Sequence, residues 1–482
     1  MGQKKIRLEK IDDFRWLIPT EGEMNVPGLI FADEKLLKYV EMEETTKQVK
    51  NAAHLPGIVK YSMAMPDIHW GYGLPIGGVV ATDVNSGVIS PGGVGYDINC
   101  GVRLMRTNLS ISEIKGHIQK LIDILFSEVP CGVGRGGKLK ISRNDEKRVL
   151  TEGSNWAIKN GFGWQEDIDA TEDGGKLEGA DPGKLSNRAY ERGNDQLGTL
   201  GSGNHFLEVQ KVEEIFYPDI ANRLGFFKDQ VCVMIHSGSR GLGYQVCDDY
   251  LTVMRRAVEK YHIRLPDRQL ACAPLNSPEG KDYLAAMKGA ANYAWANRQI
   301  IMYWVREVFE RVFGQSSESL KMSLVYDNTH NIAKFEHHEI DGKKKTVCVH
   351  RKGATRSYPK GHRLVPEIYK DIGMPVVIPG DMGRASYIMI GGENALNHSF
   401  GSTCHGAGRV MSRRQAVKRM KGRAIERELE DRGIIVRSRG KHTLKEEVSD
   451  AYKDIDQVVE VVHKAGLSKK IVKFVPLGVI KG

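Results

Sequence analysis

Apolar residues along the chain fall into short unbroken runs and a few longer stretches with helical spacing. The runs IGGVVAT at 76–82, GVRLMRT at 101–107, HFLEVQ at 205–210, VCVMIH at 231–236, MSLVYD at 322–327 and KTVCVH at 345–350 read as strands. Helical spacing marks 112–127, 290–313, 412–431 and 446–465. In 290–313 the aromatics Tyr293, Trp295, Tyr303, Trp304, Phe309 and Phe313 are interleaved with polar residues, which predicts core packing rather than a cofactor contact. Residues 141–196 are charged, and Gly, Asp and Glu dominate 164–184, which predicts an exposed, partly irregular excursion. Strands and helices follow one another without βαβ regularity, so the pattern predicts an α+β fold.

Glycine punctuates this pattern in clusters at 71–78, 91–95, 131–137, 198–203 and 236–243. Close to His, Asp and Cys, such clusters suit loops converging on a ligand, and equally the tight turns of a β-rich fold. The chain has 482 residues, enough for two to four average domains or one large one. Hydrophobic residues at 41% and charged residues at 27% exclude collagen, coiled coil and wholesale disorder. No run of about 18 apolar residues occurs and the N-terminus lacks an apolar signal core, which predicts a cytoplasmic protein with no membrane span. The net charge of +10 favours phosphate-rich partners, as weak evidence by itself. Seven scattered cysteines without CxxC spacing fit a reducing compartment better than a disulfide framework. No P-loop, HExxH or Lys-x-Asp-Gly ligase motif occurs.

Five constellations carry chemistry. Asp97 and Cys100, three apart in SPGGVGYDINCGVR, can face one point and together make a strong divalent-metal pair; a buried cysteine beside a capping aspartate explains them too. His205 heads a β-like run after the GTLGSG turn, with His205 and Leu207 on one face and Phe206 and Glu208 on the other. His236 ends the run VCVMI before a glycine loop, and His330 follows the run ending in Tyr326. Each histidine alone is more often structural, whereas three strand-end histidines with Asp-x-x-Cys point to metal. His405 sits among small residues in STCHGAGR, which leaves a large group room to reach the ring. Ser412 is a candidate cap for a following helix that carries Arg413, Arg414, Lys418, Arg419, Lys421 and Arg423, either an anion site or a solvated basic face.

Together these motifs closely resemble the RtcB family of RNA-splicing ligases. The resemblance runs from MPDIHWGYGLPIGG at 65–78 through SPGGVGYDINCGVR, LGTLGSGNHFLE, CVMIHSGSRGLG, YDNTHNIAK, HRKGATR and STCHGAGR to the terminal VIKG. It implies one large α+β domain over 1–482, with mixed sheets around a binuclear metal centre and the charged excursion near 141–196. It implies joining of an RNA 2′,3′-cyclic phosphate or 3′-phosphate to a 5′-hydroxyl, using GTP and two Mn²⁺ per chain, in tRNA splicing and RNA repair. By the same resemblance His405 is the nucleophile that takes GMP, with Asp67 as a second catalytic residue. The implied metal ligands are Asp97, Cys100, His205, His236 and His330, with Cys100 bridging.

The implied guanylate contacts are Asn204, His205, Phe206, Leu207, Glu208, His330, Asn331, Pro379, Gly380, Asp381, Met382, Ser386, His405, Gly406, Ala407, Gly408, Tyr452 and Lys481. Arg240, Arg409 and Arg413 fall where the family grips RNA phosphates. Implied partners are tRNA halves or other broken RNA and an archease activator, with a monomer favoured. A Cys/His set would by softness choose zinc; manganese comes from the resemblance alone. The chain departs from the family pattern at Asp381 and Arg384, where small or hydroxyl residues are usual, and at Tyr244, where many relatives carry histidine. Asp381 beside a nucleotide phosphate would repel it unless Arg384 or a metal compensates. Two other classes fit the same residues: a binuclear metallophosphoesterase acting on cyclic-phosphate ends, and an RNA-binding scaffold with a closed structural metal site.

Overall fold

The computed structural model describes residues 6–40, 43–132, 134 and 136–482; Val133 and Arg135 of the 131–137 glycine cluster lie outside the described residues. The fold is α+β, built on two large mixed sheets. One runs, edge to edge, Glu9–Lys10, Arg15–Ile18, Gly28–Phe31, Ile58–His69, Ile76–Asp83, Lys343–Lys352 and Asn331–Ile340. The other runs Ser323–Thr329, Gly101–Ser110, Gln230–Ser237, Phe206–Ile215, Ser468–Lys481, Ser386–Gly391 and Pro375–Ile378, with Ile435–Ser438 added alongside Ser468–Lys481. A two-stranded ribbon, Ala354–Arg356 with Ser402–Cys404, completes the frame around the site.

All six predicted runs are strands or parts of strands. The run VCVMI explains why no alternation was needed. Cys232 and Met234 enter one core, while Val231, Val233 and Ile235 enter another beneath the helix Pro278–Phe313. A strand covered on both faces has no polar side to show. The two sheets also share a core: Met63, Val79 and Ala81 of one meet Val376, Ile378 and Met389 of the other, with Val458 and Val462 of the helix Ile455–Lys464 between them. Cys404 and Ala407 lie in this same junction, so the loop carrying His405 emerges where the sheets meet.

Helix boundaries differ from expectation for stated reasons. Pro278–Phe313 begins twelve residues before the predicted start, capped by Ser277, whose side chain accepts from Gly280 N. Residues 289–302 are buried all round, Gly289, Ala290, Ala291 and Ala294 among them, so that stretch presents no amphipathic stripe. The 412–431 expectation splits into Arg413–Arg419 and Ile425–Glu430, parted near Gly422 at φ +86°. Lys421 and Arg423 therefore fall beyond the basic helix. Within 446–465 the long helix is only Ile455–Lys464, started by the Asp454 cap. In 112–127 the chain breaks between Ile111–Ile114 and Ile118–Glu128.

Residues 141–196 are exposed only in part: much of 164–184 lies at the surface in short turns, while other parts of the segment pack inward. The segment forms the helices Arg143–Glu152, Ser154–Lys159, Glu166–Asp169 and Asn187–Gly193. Val149, Leu150, Trp156, Ala157 and Tyr190 are buried in one core with residues of Pro278–Phe313. Asp167 pairs with Arg306 at 2.7 Å, and Glu172 with Lys334 at 2.7 Å, both pairs buried. The charge counted there along the sequence is partly internal and paired. Among the described residues, no helix is long and apolar enough to cross a membrane.

Candidate active site

Antiparallel pairing gathers the predicted donors at one sheet edge. Thr329 pairs with Gly101, Gly101 with Ser237, and His236 with Phe206. The end of one strand therefore lies beside the start of the next, across four neighbours. Asp97 and Cys100 precede the second of these strands, His236 ends the third, His205 precedes the fourth and His330 follows the first. Their donor atoms face one another. Cys100 Sγ lies 3.2 Å from His236 Nε2 and 3.5 Å from His205 Nε2. His205 Nε2 lies 2.8 Å from Asp97 Oδ2, and His236 Nε2 3.3 Å from His330 Nε2. The ligand atoms of Cys100, His205 and His236 all fall within 4.8 Å of one another, as a shared ion requires.

The electrostatics suit a cation. Burial, and then neighbouring positive groups, lower His236 and His330 well below the usual imidazole range, so both are neutral and offer lone pairs. His205 is lowered too, by burial first. Its Nδ1 lies 3.1 Å from Leu200 O, which accepts that proton and leaves Nε2 bare. Arg240 Nη1, also 3.1 Å from Nδ1, then stands there as a charge, not a donor. Burial and the neighbouring Asp97 push the Cys100 thiol well above its ordinary value, an order that a bound divalent ion reverses. Asp97 stays ionised against its burial; it accepts from Ser239 N at 3.1 Å, and Arg240 is among the groups that lower it. A thiol, three neutral imidazoles and a carboxylate, with their donor atoms facing one another, fit a divalent metal.

The edge is held from behind by side chains that the motif pattern does not contain. Arg298 donates to Asn99 O at 2.8 Å, Ser237 O at 3.0 Å and Asp327 Oδ1 at 2.8 Å. It thereby ties the Asp97–Cys100 turn to the strand that ends at His236. Its neighbour Asn297 donates to Thr199 O at 3.1 Å and Gly238 O at 3.2 Å, and accepts from Gly198 N at 2.8 Å. The only sequence signal was polar residues inside an otherwise apolar helix.

His405 lies on the opposite side of the cleft. Its ring meets His330 edge-on at 5.0 Å between centroids and stacks on His69 at 6.2 Å. Nδ1 is 2.5 Å from Asp67 Oδ2, which also accepts from His405 N at 2.9 Å and Gly406 N at 3.2 Å. Asp67 is fully buried; burial opposes its charge, yet His405 and Lys453 hold it below the usual carboxylate range. An ionised Asp67 keeps the proton on Nδ1 and leaves Nε2 with its lone pair. Gly353, at φ +62°, passes so near that a Cβ there would stand 3.0 Å from His405 Cε1 and 2.2 Å from Ile76 Cγ2.

The predicted nucleotide residues are scattered in sequence and mostly adjacent in space. Glu208 is buried and accepts from Gln210, which also donates to Ser386 Oγ at 3.3 Å. Burial pushes Glu208 up to about 8, against Gln210 and Lys481. Gly380 N donates to Ser386 Oγ at 3.1 Å. Lys481 donates to Gly203 O at 3.2 Å, with its ammonium 5.4 Å from the Phe206 ring centre. The Tyr452 hydroxyl donates to Glu447 and accepts from Arg409 at 3.1 Å. Asn331 holds the site together, donating to Asp97 O at 3.0 Å and accepting from Gly353 N at 2.8 Å. Asn204 is exposed on the turn before His205.

Some placements limit a direct role. Leu207 and Met382 commit their side chains to the core. Pro379, Gly406, Ala407 and Gly408 are buried, and Gly408 abuts the Asp67 carbonyl. Asp381 accepts from Gly383 N at 3.0 Å and from Ser449, and Arg384 Nε lies 3.5 Å from its Oδ2, supplying the compensating charge. Arg409 is engaged by Glu447 at 3.2 Å and Glu446 O at 2.7 Å, whereas the Arg413 side chain is 51% exposed. Ser412 caps the basic helix through a reciprocal pair with Gln415. Tyr244 is exposed and stacks on Tyr96 at 4.6 Å.

Residues 48–482 match the family model described as tRNA-splicing ligase RtcB. The chain is 54% identical over 477 residues to a tRNA-splicing ligase RtcB of Archaeoglobus fulgidus, covering 98% of this chain and 99% of that one. It is 51% identical to the protein so named in Thermococcus kodakarensis, with both chains covered in full. With that of Nanoarchaeum equitans it shares 52% over 478 residues, 99% of this chain and all of the other.

Proposed function

This chain belongs to the RtcB family of tRNA-splicing ligases, and on that premise we propose that it seals RNA through a guanylated His405, using GTP and manganese. The observation that carries the reading is the Asp67–His405 pair, 2.5 Å apart, beside a cluster of neutral metal donors. Asp67 holds the Nδ1 proton, so the Nε2 lone pair attacks the α-phosphorus of GTP. The bond from that phosphorus to the β-phosphate oxygen breaks, and pyrophosphate leaves with the electron pair. Asp67 then balances the positive charge left on the ring.

A 2′,3′-cyclic end is first opened by water to a 3′-phosphate. An oxygen of that 3′-phosphate attacks the histidine-bound phosphorus and frees His405, giving an RNA-3′-pp-5′-G end. The 5′-hydroxyl of the second strand attacks the RNA phosphorus, loses its proton and displaces GMP. Asp97, Cys100, His205, His236 and His330 would hold two manganese ions with Cys100 shared, and such ions neutralise phosphate charge and orient the leaving group. Glu208 and Lys481 would grip the guanine, with Ser386 and Tyr452 nearby. Arg240, Arg409 and Arg413 would meet phosphates.

The proposal extends to RNA repair, an archease-type activator, a monomer folded as one ligase domain, and a cytoplasmic setting. The test is intact mass after incubation with GTP and manganese. A GMP adduct that maps to His405 is expected. An unlabelled protein that still opens cyclic-phosphate ends would favour the metallophosphoesterase.

A further inference from the structure

We propose that Lys453 is a positioning residue for the nucleophile, clamping the strand on both sides of Asp67 and tying it to the loop that carries His405. This deepens the guanylation reading and rests on it. Lys453 is 1% exposed, and its ammonium donates to Pro66 O at 2.8 Å and Ile68 O at 2.6 Å. Those carbonyls flank Asp67 directly. Its own backbone N donates to Gly408 O at 2.9 Å, and the adjacent Tyr452 bridges to Arg409. One residue therefore joins the His405 loop to the strand that carries Asp67.

A lysine buried this deeply pays a desolvation penalty that a neutral side chain would avoid. Two carbonyls and a nearby carboxylate offset that penalty. Burial pulls Lys453 down to about 7 against Asp67, so it is charged on the acid side of neutrality. The ionisable groups around it are Asp67, His69 and His405, and Arg384, which donates to Lys453 O at 2.9 Å. His69 is lowered to about 3 by burial first and stays neutral.

Removing the clamp should let Asp67 drift, where a displacement on the order of 1 Å costs about 10²-fold in rate. The experiment is the rate of covalent guanylation over a GTP series, with full-length protein and manganese. Lys453→Met should lose about 10²-fold in the rate at saturating GTP, with KM for GTP and manganese content near wild type. Lys453→Gln, one atom too short to hold both carbonyls, should lose rate likewise; it decides the matter if the Met variant does not fold. Lys453→Arg keeps donors for both carbonyls and should restore most of the rate. A folded Met or Gln variant with the wild-type rate, or a loss that falls on KM rather than on the saturated rate, overturns the proposal. A wild-type chain that takes no GMP overturns the guanylation reading instead, so the two failures are distinct.

Discussion

The two sides of the cleft are built by different means. On the donor side, four neighbouring strands of one sheet each deliver a residue at the same edge, and Arg298 and Asn297 brace the turns from behind. On the nucleotide side, residues come from loops at 379–386, 405–413 and 446–453 and from the C-terminal strand. There many contacts run between side chains, as in Arg409–Tyr452–Glu447, and Arg414 and Lys418 are exposed. Sheet register sets the ligand-bearing residues side by side, and a metal demands ligand distances good to about 0.2 Å. Loops hold recognition groups whose contributions are graded. Damage on the first side should be all-or-none, and on the second proportional.

The proposed nucleophile, His405, should give the largest effect. His405→Ala is expected to abolish covalent GMP while leaving manganese content near normal, read by intact mass and metal analysis. Full labelling of that variant by GTP would remove His405 from the mechanism.

Next, Cys100→Ser tests whether the donor edge behaves as one unit. A serine hydroxyl stays protonated near neutral pH, so a shared ligand is lost to both ions. Manganese titration should show both sites weakened together. One site weakened with the other intact would contradict a bridging thiolate.

Glu208 tests the graded side. An ionised carboxylate accepts from the N1–H and N2–H₂ of guanine and meets a lone pair in adenine. Glu208→Ala should therefore reduce the preference for GTP over ATP by roughly 10² to 10⁴. Because burial raises Glu208 to about 8, guanine must displace a proton at neutral pH. GTP affinity should rise as pH increases toward 8 and flatten above it, and Glu208→Gln should remove that slope. For the empty protein the sign is opposite. A carboxyl raised above its unfolded value of 4.5 costs stability progressively as pH climbs from there through about 8. Equal pH profiles for GTP in wild type and Glu208→Gln would rule out this role.

The basic helix should give the smallest effect. Replacing Arg413 and Lys418 together should flatten the log–log salt dependence of RNA affinity by about one to two units. Sealing should suffer more than GMP loading, which needs no RNA strand. A double variant with the wild-type slope would make the helix a solvated basic face.

Local pattern alone determined a good part of this molecule. Each of the six apolar runs became a strand, because a strand buried on both faces is apolar throughout, as VCVMI is. The strand-end histidines and Asp97-x-x-Cys100 were visible as candidate donors because turn glycines and ligand spacing lie within a few residues of each other. The resemblance added Asp67 and His405 as candidate catalytic residues.

Only the tertiary structure decided the rest. Asp67 and His405 lie 338 positions apart and meet because two sheets share a core. Lys453, Arg298 and Asn297 carry no local mark of their task, since a buried polar group is recognised by its partners, and those partners come from distant strands. The same blindness misread part of 141–196: its charges looked solvated along the chain, and many are, yet Asp167 and Glu172 are buried against Arg306 and Lys334. Periodicity and turn chemistry are set by neighbours in sequence, so a reading of the sequence recovers them. Strand order, register and the pairing of buried charge are set by neighbours in space, and the chain acquires those only on folding.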